Sequence, residues 1–130
     1  MNIQVKHYED KLAFEIDSWD LKAALELGEE VVVIDARSTE AYRSEHIPGA
    51  INIPHRKMTP ETTRHLSRTA LLVSYCDGIG CNASTKGALN LARLGFRVKE
   101  LIGGLDWWKR DGHGTESQAA GTPAAGCGCD

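Results

Sequence analysis

Cys76 closes an apolar run, Leu71-Leu72-Val73-Ser74-Tyr75, and opens the segment Asp77-Gly78-Ile79-Gly80-Cys81-Asn82. A helical pattern follows from Ala83 to Leu94. A thiol between a strand end and a helix N-terminus meets inward-pointing N–H groups, which favour the thiolate over the thiol. Gly78 and Gly80 let the backbone bend, so the amides from Asp77 to Asn82 are expected to converge on the sulfur. The thiolate is the reactive form: a free cysteine has a pKa near ~8.5, and helix N-termini lower it to roughly 3.5–7.5. With the thiolate preformed, no general base is required, and the five histidines show no Cys–His pairing. Nucleophilic chemistry at sulfur is the expectation, with Cys76 as the catalytic residue.

Three other cysteines bear on this reading. Cys81 has two: a small, half-buried residue packing the loop on its helix, or a resolving thiol whose sulfur reaches Cys76. Cys127 and Cys129 form a Cys-x-Cys near the C-terminus, a pattern suited to relaying sulfur or binding a soft metal. The spacings match no common zinc motif, so no metal and no cofactor is expected.

The elements that must position Cys76 alternate in type. Ser18 is placed to cap a short helix through Leu21, Ala24 and Leu25, with Gly28 to stop it. Val31-Val32-Val33-Ile34 reads as a strand buried on both faces, leading into Asp35-Ala36-Arg37 and a helical turn capped by Ser38. Ala50 to Ile53 reads as a short strand ended by Pro54, and Thr59-Pro60-Glu61 as a helix start. Leu71 to Tyr75 and Arg97 to Ile102 are further strands; Leu105 to Arg110 is a last helix, on which one of Trp107 and Trp108 faces inward. This alternation implies an α/β fold, a central parallel sheet with helices on both faces and the site at the carboxyl ends of the strands. Cys76, Asp35 and Arg37 all fall at such ends.

The bulk composition agrees. The chain has 130 residues, 42% hydrophobic and 25% charged, enough for one domain with its own core. A net charge of -3 argues against a nucleic-acid or acidic-membrane partner. No run is apolar enough to span a bilayer and the start lacks a signal-peptide core, so the cytoplasm is the expected compartment. The expected organisation is an N-terminal extension over 1–14, a domain over 15–112 and a disordered Gly/Ala-rich tail over 113–130.

The segments Val32-Val33-Ile34-Asp35-Ala36-Arg37 and His46-Ile47-Pro48-Gly49-Ala50-Ile51-Asn52, followed by Tyr75-Cys76, Leu94-Gly95-Phe96 and Gly103-Gly104-Leu105, resemble a rhodanese domain. The resemblance implies the three-layer rhodanese-like fold and a sulfurtransferase in which Cys76 takes a sulfane sulfur from a small anionic donor such as thiosulfate. Cys76 would hold it as a persulfide and pass it to a thiol, to cyanide or to a protein acceptor. It also implies that Asp35 and Arg37 support the loop by salt bridge and hydrogen bonds; His46 is expected to do similar structural work, and a monomer or weak dimer is expected. Two departures stand out. The family's loop carries an arginine about five residues after the cysteine where this chain has Cys81, and the loop is about two residues longer than usual. A wider loop is shared with the family's phosphatase relatives, but they clamp phosphate with a loop arginine, and no arginine lies between Cys76 and Arg93. Asp77 would also oppose a dianion and raise the thiol pKa. Phosphatase or arsenate reductase chemistry is therefore disfavoured, and the alternative is a catalytically weak sulfur-carrying or protein-binding module. Arg56 and Lys57 are placed to attract an anionic donor.

Overall fold

The computed structural model describes residues 2–118. Five strands form one parallel sheet in the order β1-β5-β4-β2-β3: β1 (Glu15–Ile16), β2 (Val31–Asp35), β3 (Ile51–Asn52), β4 (Leu71–Tyr75) and β5 (Arg97–Leu101). Five helices accompany them: α1 (Ile3–Phe14), α2 (Ser18–Glu26), α3 (Thr39–Ser44), α4 (Ala83–Arg93) and α5 (Gly104–Arg110). A 3-10 turn covers His55–Lys57. Parallel strands need covered crossovers, and the side-chain alternation along each strand supplies an apolar set to either face. Val33, Val73, Tyr75 and Leu101 pack with Leu21, Leu105 and Trp108 on one face. Ile34 and Leu72 pack with Met58, Leu91 and Phe96 on the other. The expected α/β architecture, a parallel sheet between two helical layers, is the observed one.

Several local expectations are corrected. The cap of α2 is Asp17, whose side chain accepts from the Asp20 amide; Ser18 lies inside the helix, buried, and donates to Asp111 at 2.6 Å. Thr59-Pro60-Glu61 starts a turn and not a helix, because Thr59 and Thr62 satisfy each other's amides through their hydroxyls. Beyond residue 112 the described chain keeps contact with the fold. Trp108 Nε1 donates to Gly114 O, and the backbones of His46 and Glu116 pair as an antiparallel bridge, so residues 113–118 are held against the fold. The rest of the segment expected to be disordered lies outside the described residues. Among the described residues no helix is long and apolar enough to cross a membrane.

Candidate active site

The middle strand of the sheet, β4, delivers Cys76. Its register with β2 and β5 is fixed over its length, so the residue after Tyr75 emerges at the carboxyl end of the sheet beside Ala36 and Arg37. Gly87 lets α4 lie close behind: a Cβ there would stand 2.8 Å from Ser74 Oγ and 3.0 Å from the Ala36 methyl. The start of α5 pins the loop on its other side, with the Leu105 amide donating to Cys76 O at 2.9 Å and the Asp106 amide to Asp77 O at 2.7 Å. Gly104, at φ +58°, makes this approach feasible, since a Cβ would overlap the Cys76 carbonyl and crowd the Gly78 amide.

Within the loop, Cys76 and Cys81 are joined by a disulfide across Cα atoms 6.3 Å apart. Cys76 is 1% exposed, whereas Cys81 is half-buried and Ile79 stands out in solvent. The Cys81 amide donates to Gly78 O at 3.2 Å, closing a tight turn over the two glycines. That contact corrects the expectation that every amide from Asp77 to Asn82 aims at the sulfur, because the one at Cys81 is committed to a carbonyl. Helix α4 begins directly after Asn82.

A buried charge cluster underlies the loop. Arg37 donates through Nε (3.0 Å) and Nη2 (2.7 Å) to the two carboxylate oxygens of Asp35, through Nη2 to Glu45 O (2.6 Å), and through Nη1 to Asp77 Oδ1 (2.8 Å). Asp35 is fully buried and Arg37 nearly so. Burial works against the guanidinium, but the hydrogen bonds and charge of Asp35 outweigh it and raise its pKa, so it stays charged. Tyr75 donates its hydroxyl to Asp35 Oδ2 at 2.6 Å and accepts from the Ile47 amide at 3.1 Å. Burial, then the Asp35 charge, hold that hydroxyl protonated far above the usual tyrosine range. Asp35 is thus saturated, and the remaining nitrogen of Arg37 fixes Asp77. The cluster also corrects the electrostatic argument about Asp77: its carboxylate is paired, so it opposes a neighbouring anion far less than an isolated aspartate would.

The structure therefore gathers Asp35, Arg37, Asp77 and the loop 76–82 at one end of the sheet. Arg56 and Lys57 come to the strand ends as well, lining a separate cavity of about 250 Å³ with Ser38, Thr39 and His55. His46 stacks on Tyr42 and contacts Tyr42 O through Nδ1, a packing role before the Pro48-Gly49 turn. Cys127 and Cys129 lie outside the described residues. Among the described residues no group of His, Cys, Asp and Glu is arranged to hold a metal ion. Sequence reasoning missed Tyr75, Glu45 and Gly104 as parts of this site. A tyrosine hydroxyl inside a buried strand was the available signal for the first, since it must find a partner; the other two act through backbone contacts that no side-chain pattern reveals.

A parallel sheet whose middle strand ends in a cysteine loop, braced from below by a buried Arg–Asp pair, is the arrangement of a rhodanese-like protein. The chain belongs to that family: the rhodanese-like domain family matches it over residues 19–111. The BH2092 protein of Bacillus halodurans has a similar crystal structure, with a TM-score of 0.85 at 43% identity, over 90% of this chain and 86% of that one. Thiosulfate sulfurtransferase GlpE of Coxiella burnetii is 28% identical over 72% of this chain and 82% of its own length. An HTH-type transcriptional regulator of Mycobacterium tuberculosis is 37% identical over 64% of this chain, which spans only 36% of that protein.

Proposed function

We propose that the protein is a rhodanese-type sulfurtransferase with Cys76 as its nucleophile. The observation that carries this reading is the placement of Cys76 at the end of the middle strand, in a loop that Arg37 and α5 hold from two sides. The likeness to a protein named a thiosulfate sulfurtransferase supports the substrate class. In the reduced protein the Cys76 thiolate attacks the outer sulfur of thiosulfate, the S–S bond of the donor breaks, and sulfite leaves with the electron pair. The product is an anionic persulfide, which the dipole of α4 favours as it favours the thiolate. A thiophilic acceptor, cyanide or a thiolate, then attacks the outer sulfur and returns Cys76 as thiolate. Arg37 and Asp35 touch neither reactant; they position Asp77 and with it the first turn of the loop.

The mycobacterial relative favours a second reading, since there a similar domain forms part of a protein named as a transcriptional regulator. A domain of that kind would hold sulfur without rapid turnover. Steady-state thiocyanate formation from thiosulfate and cyanide separates the two. Reduced Cys81→Ser protein, whose loop has no second thiol, is expected to turn over many times and the Cys76→Ser, Cys81→Ser double variant not at all. A single equivalent of thiocyanate per chain, with no further turnover, would favour the carrier; equal rates in both proteins would defeat the assignment of Cys76.

A further inference from the structure

The disulfide between Cys76 and Cys81 carries a consequence for the fate of the sulfur, and it builds on the sulfurtransferase reading. We propose that Cys81 is a resolving thiol that expels sulfide from the Cys76 persulfide, so that the same loop reduces sulfane sulfur at the expense of an external dithiol. The loop is built to let the two sulfurs meet. The Cα separation of 6.3 Å falls inside the ordinary disulfide range of about 4.4–6.8 Å. Two glycines lie between the cysteines, and the Cys81 N–H to Gly78 O contact folds the chain so that the thiol at 81 returns toward 76.

The steps balance. Cys76 thiolate and thiosulfate give Cys76 persulfide and sulfite. The Cys81 thiol then transfers its proton and attacks Cys76 Sγ; the Cys76 Sγ–outer sulfur bond breaks, a Cys76–Cys81 disulfide forms, and the outer sulfur leaves as hydrosulfide with that proton. The sulfane sulfur is reduced and the two cysteines are oxidised. A dithiol restores them: its thiolate attacks one sulfur of the disulfide, and its second thiol closes the mixed disulfide. In sum, thiosulfate and a dithiol yield sulfite, hydrogen sulfide and an oxidised dithiol.

Accessibility says which sulfur the dithiol reaches. In the disulfide form Cys76 is buried, whereas Cys81 opens onto a cavity of about 250 Å³ whose walls include Gly78, Asn82, Thr85 and Gly103. The cavity floor is polar and spoken for, since Glu100 accepts from the hydroxyls of Ser84 and Thr85, both at 2.7 Å. Attack on Cys81 from this side makes Cys76 the leaving group and returns it directly to the form that takes sulfur from the next donor.

The test uses the full chain carrying Cys127→Ser and Cys129→Ser, so that only the loop thiols respond. It is reduced with dithiothreitol, desalted without air and mixed with thiosulfate in the absence of reductant. Released sulfide is measured, and alkylated peptides are mapped by mass. The expected result is one sulfide per chain and a new Cys76–Cys81 link. In the same background Cys81→Ser should keep the sulfur on Cys76 and release less than a tenth as much sulfide. Adding dithiothreitol to the unsubstituted loop should restore repeated sulfide release. A persulfide that persists on Cys76 while Cys81 remains alkylatable would overturn the resolving role and leave sulfur transfer standing. No sulfur uptake by either protein would overturn both.

Discussion

Asp77 follows the proposed nucleophile directly, and its charge would by itself disfavour the Cys76 thiolate. Arg37 changes that balance by donating to Asp77 with the one guanidinium nitrogen that Asp35 does not use. Asp77→Asn removes the carboxylate and leaves the Arg37 charge less compensated, so the reduced Cys76 should deprotonate more readily. The pH dependence of iodoacetamide alkylation, followed in a Cys81→Ser background to isolate one thiol, reads this directly; a midpoint that stays put or rises would contradict it. The cysteine itself was legible from its neighbours, because a strand, two glycines and a helix start can be read locally. The ring of partners around Arg37 was only half legible. Asp35 sits two residues away in sequence, but Glu45 O and Asp77 come together only when the strands pair.

At the scale of single elements, α5 does two jobs, pinning the loop through its first amides and filling the core through Trp108. Trp108 is 1% exposed and Trp107 45% exposed, so their substitutions should part company. Trp108→Ala should cost about 3–5 kcal/mol of unfolding free energy, whereas Trp107→Ala should cost under about 1 kcal/mol; urea denaturation measures both, and similar losses would refute the packing described. The link between α3 and α5 is electrostatic. Lys109 donates to one oxygen of Glu45 at 2.8 Å and Thr115 to the other at 2.7 Å. Partial burial works to raise the Glu45 pKa, but those hydrogen bonds and the charges of Lys109 and Arg37 bring it below the ordinary value of 4.5. A carboxylate lowered by folding stabilises the fold above its unfolded pKa, and the benefit fades as pH falls through the folded value. Glu45→Gln should therefore melt earlier than wild type at pH 7, with the gap closing below about pH 4.5; a gap that persists at pH 2 would show another cause. Elements with strong patterns were readable: β2, β4 and α4 fall where their apolar spacing puts them. Those that went unread lacked the signal. Helix α1 buries no residue and so has no apolar stripe, and β1 is a two-residue edge strand, too short for alternation to register. Thr59-Pro60-Glu61 carries the chemistry of a helix cap, yet the run Thr62-Thr63-Arg64-His65-Leu66-Ser67 offers Leu66 alone as a large apolar anchor, and a turn wins.

For the whole molecule, the sheet is what joins the site to stability: its two apolar faces hold β4 in the middle, and Cys76 inherits that rigidity. The matched family region begins at residue 19, and α1 stands outside it with Ile3, Val5, Tyr8, Leu12 and Phe14 all exposed. Removing residues 1–14 should then change the unfolding free energy by less than about 1 kcal/mol, because little burial is lost; a large drop in the urea midpoint would reveal packing that α1 supplies. The far end behaves differently, since residues 113–118 cross back to α3 and its following turn through Glu116, Thr115 and Gln118. In the proposed reaction Cys76 alone carries the sulfur. Reduced Cys81→Ser protein, with Cys127 and Cys129 also replaced by serine, should be incubated with thiosulfate and its mass measured intact and after digestion. A gain of one sulfur atom confined to the Cys76 peptide, discharged by cyanide, is the predicted result. An unchanged mass with Cys76 still open to alkylation would rule out Cys76 as the sulfur carrier.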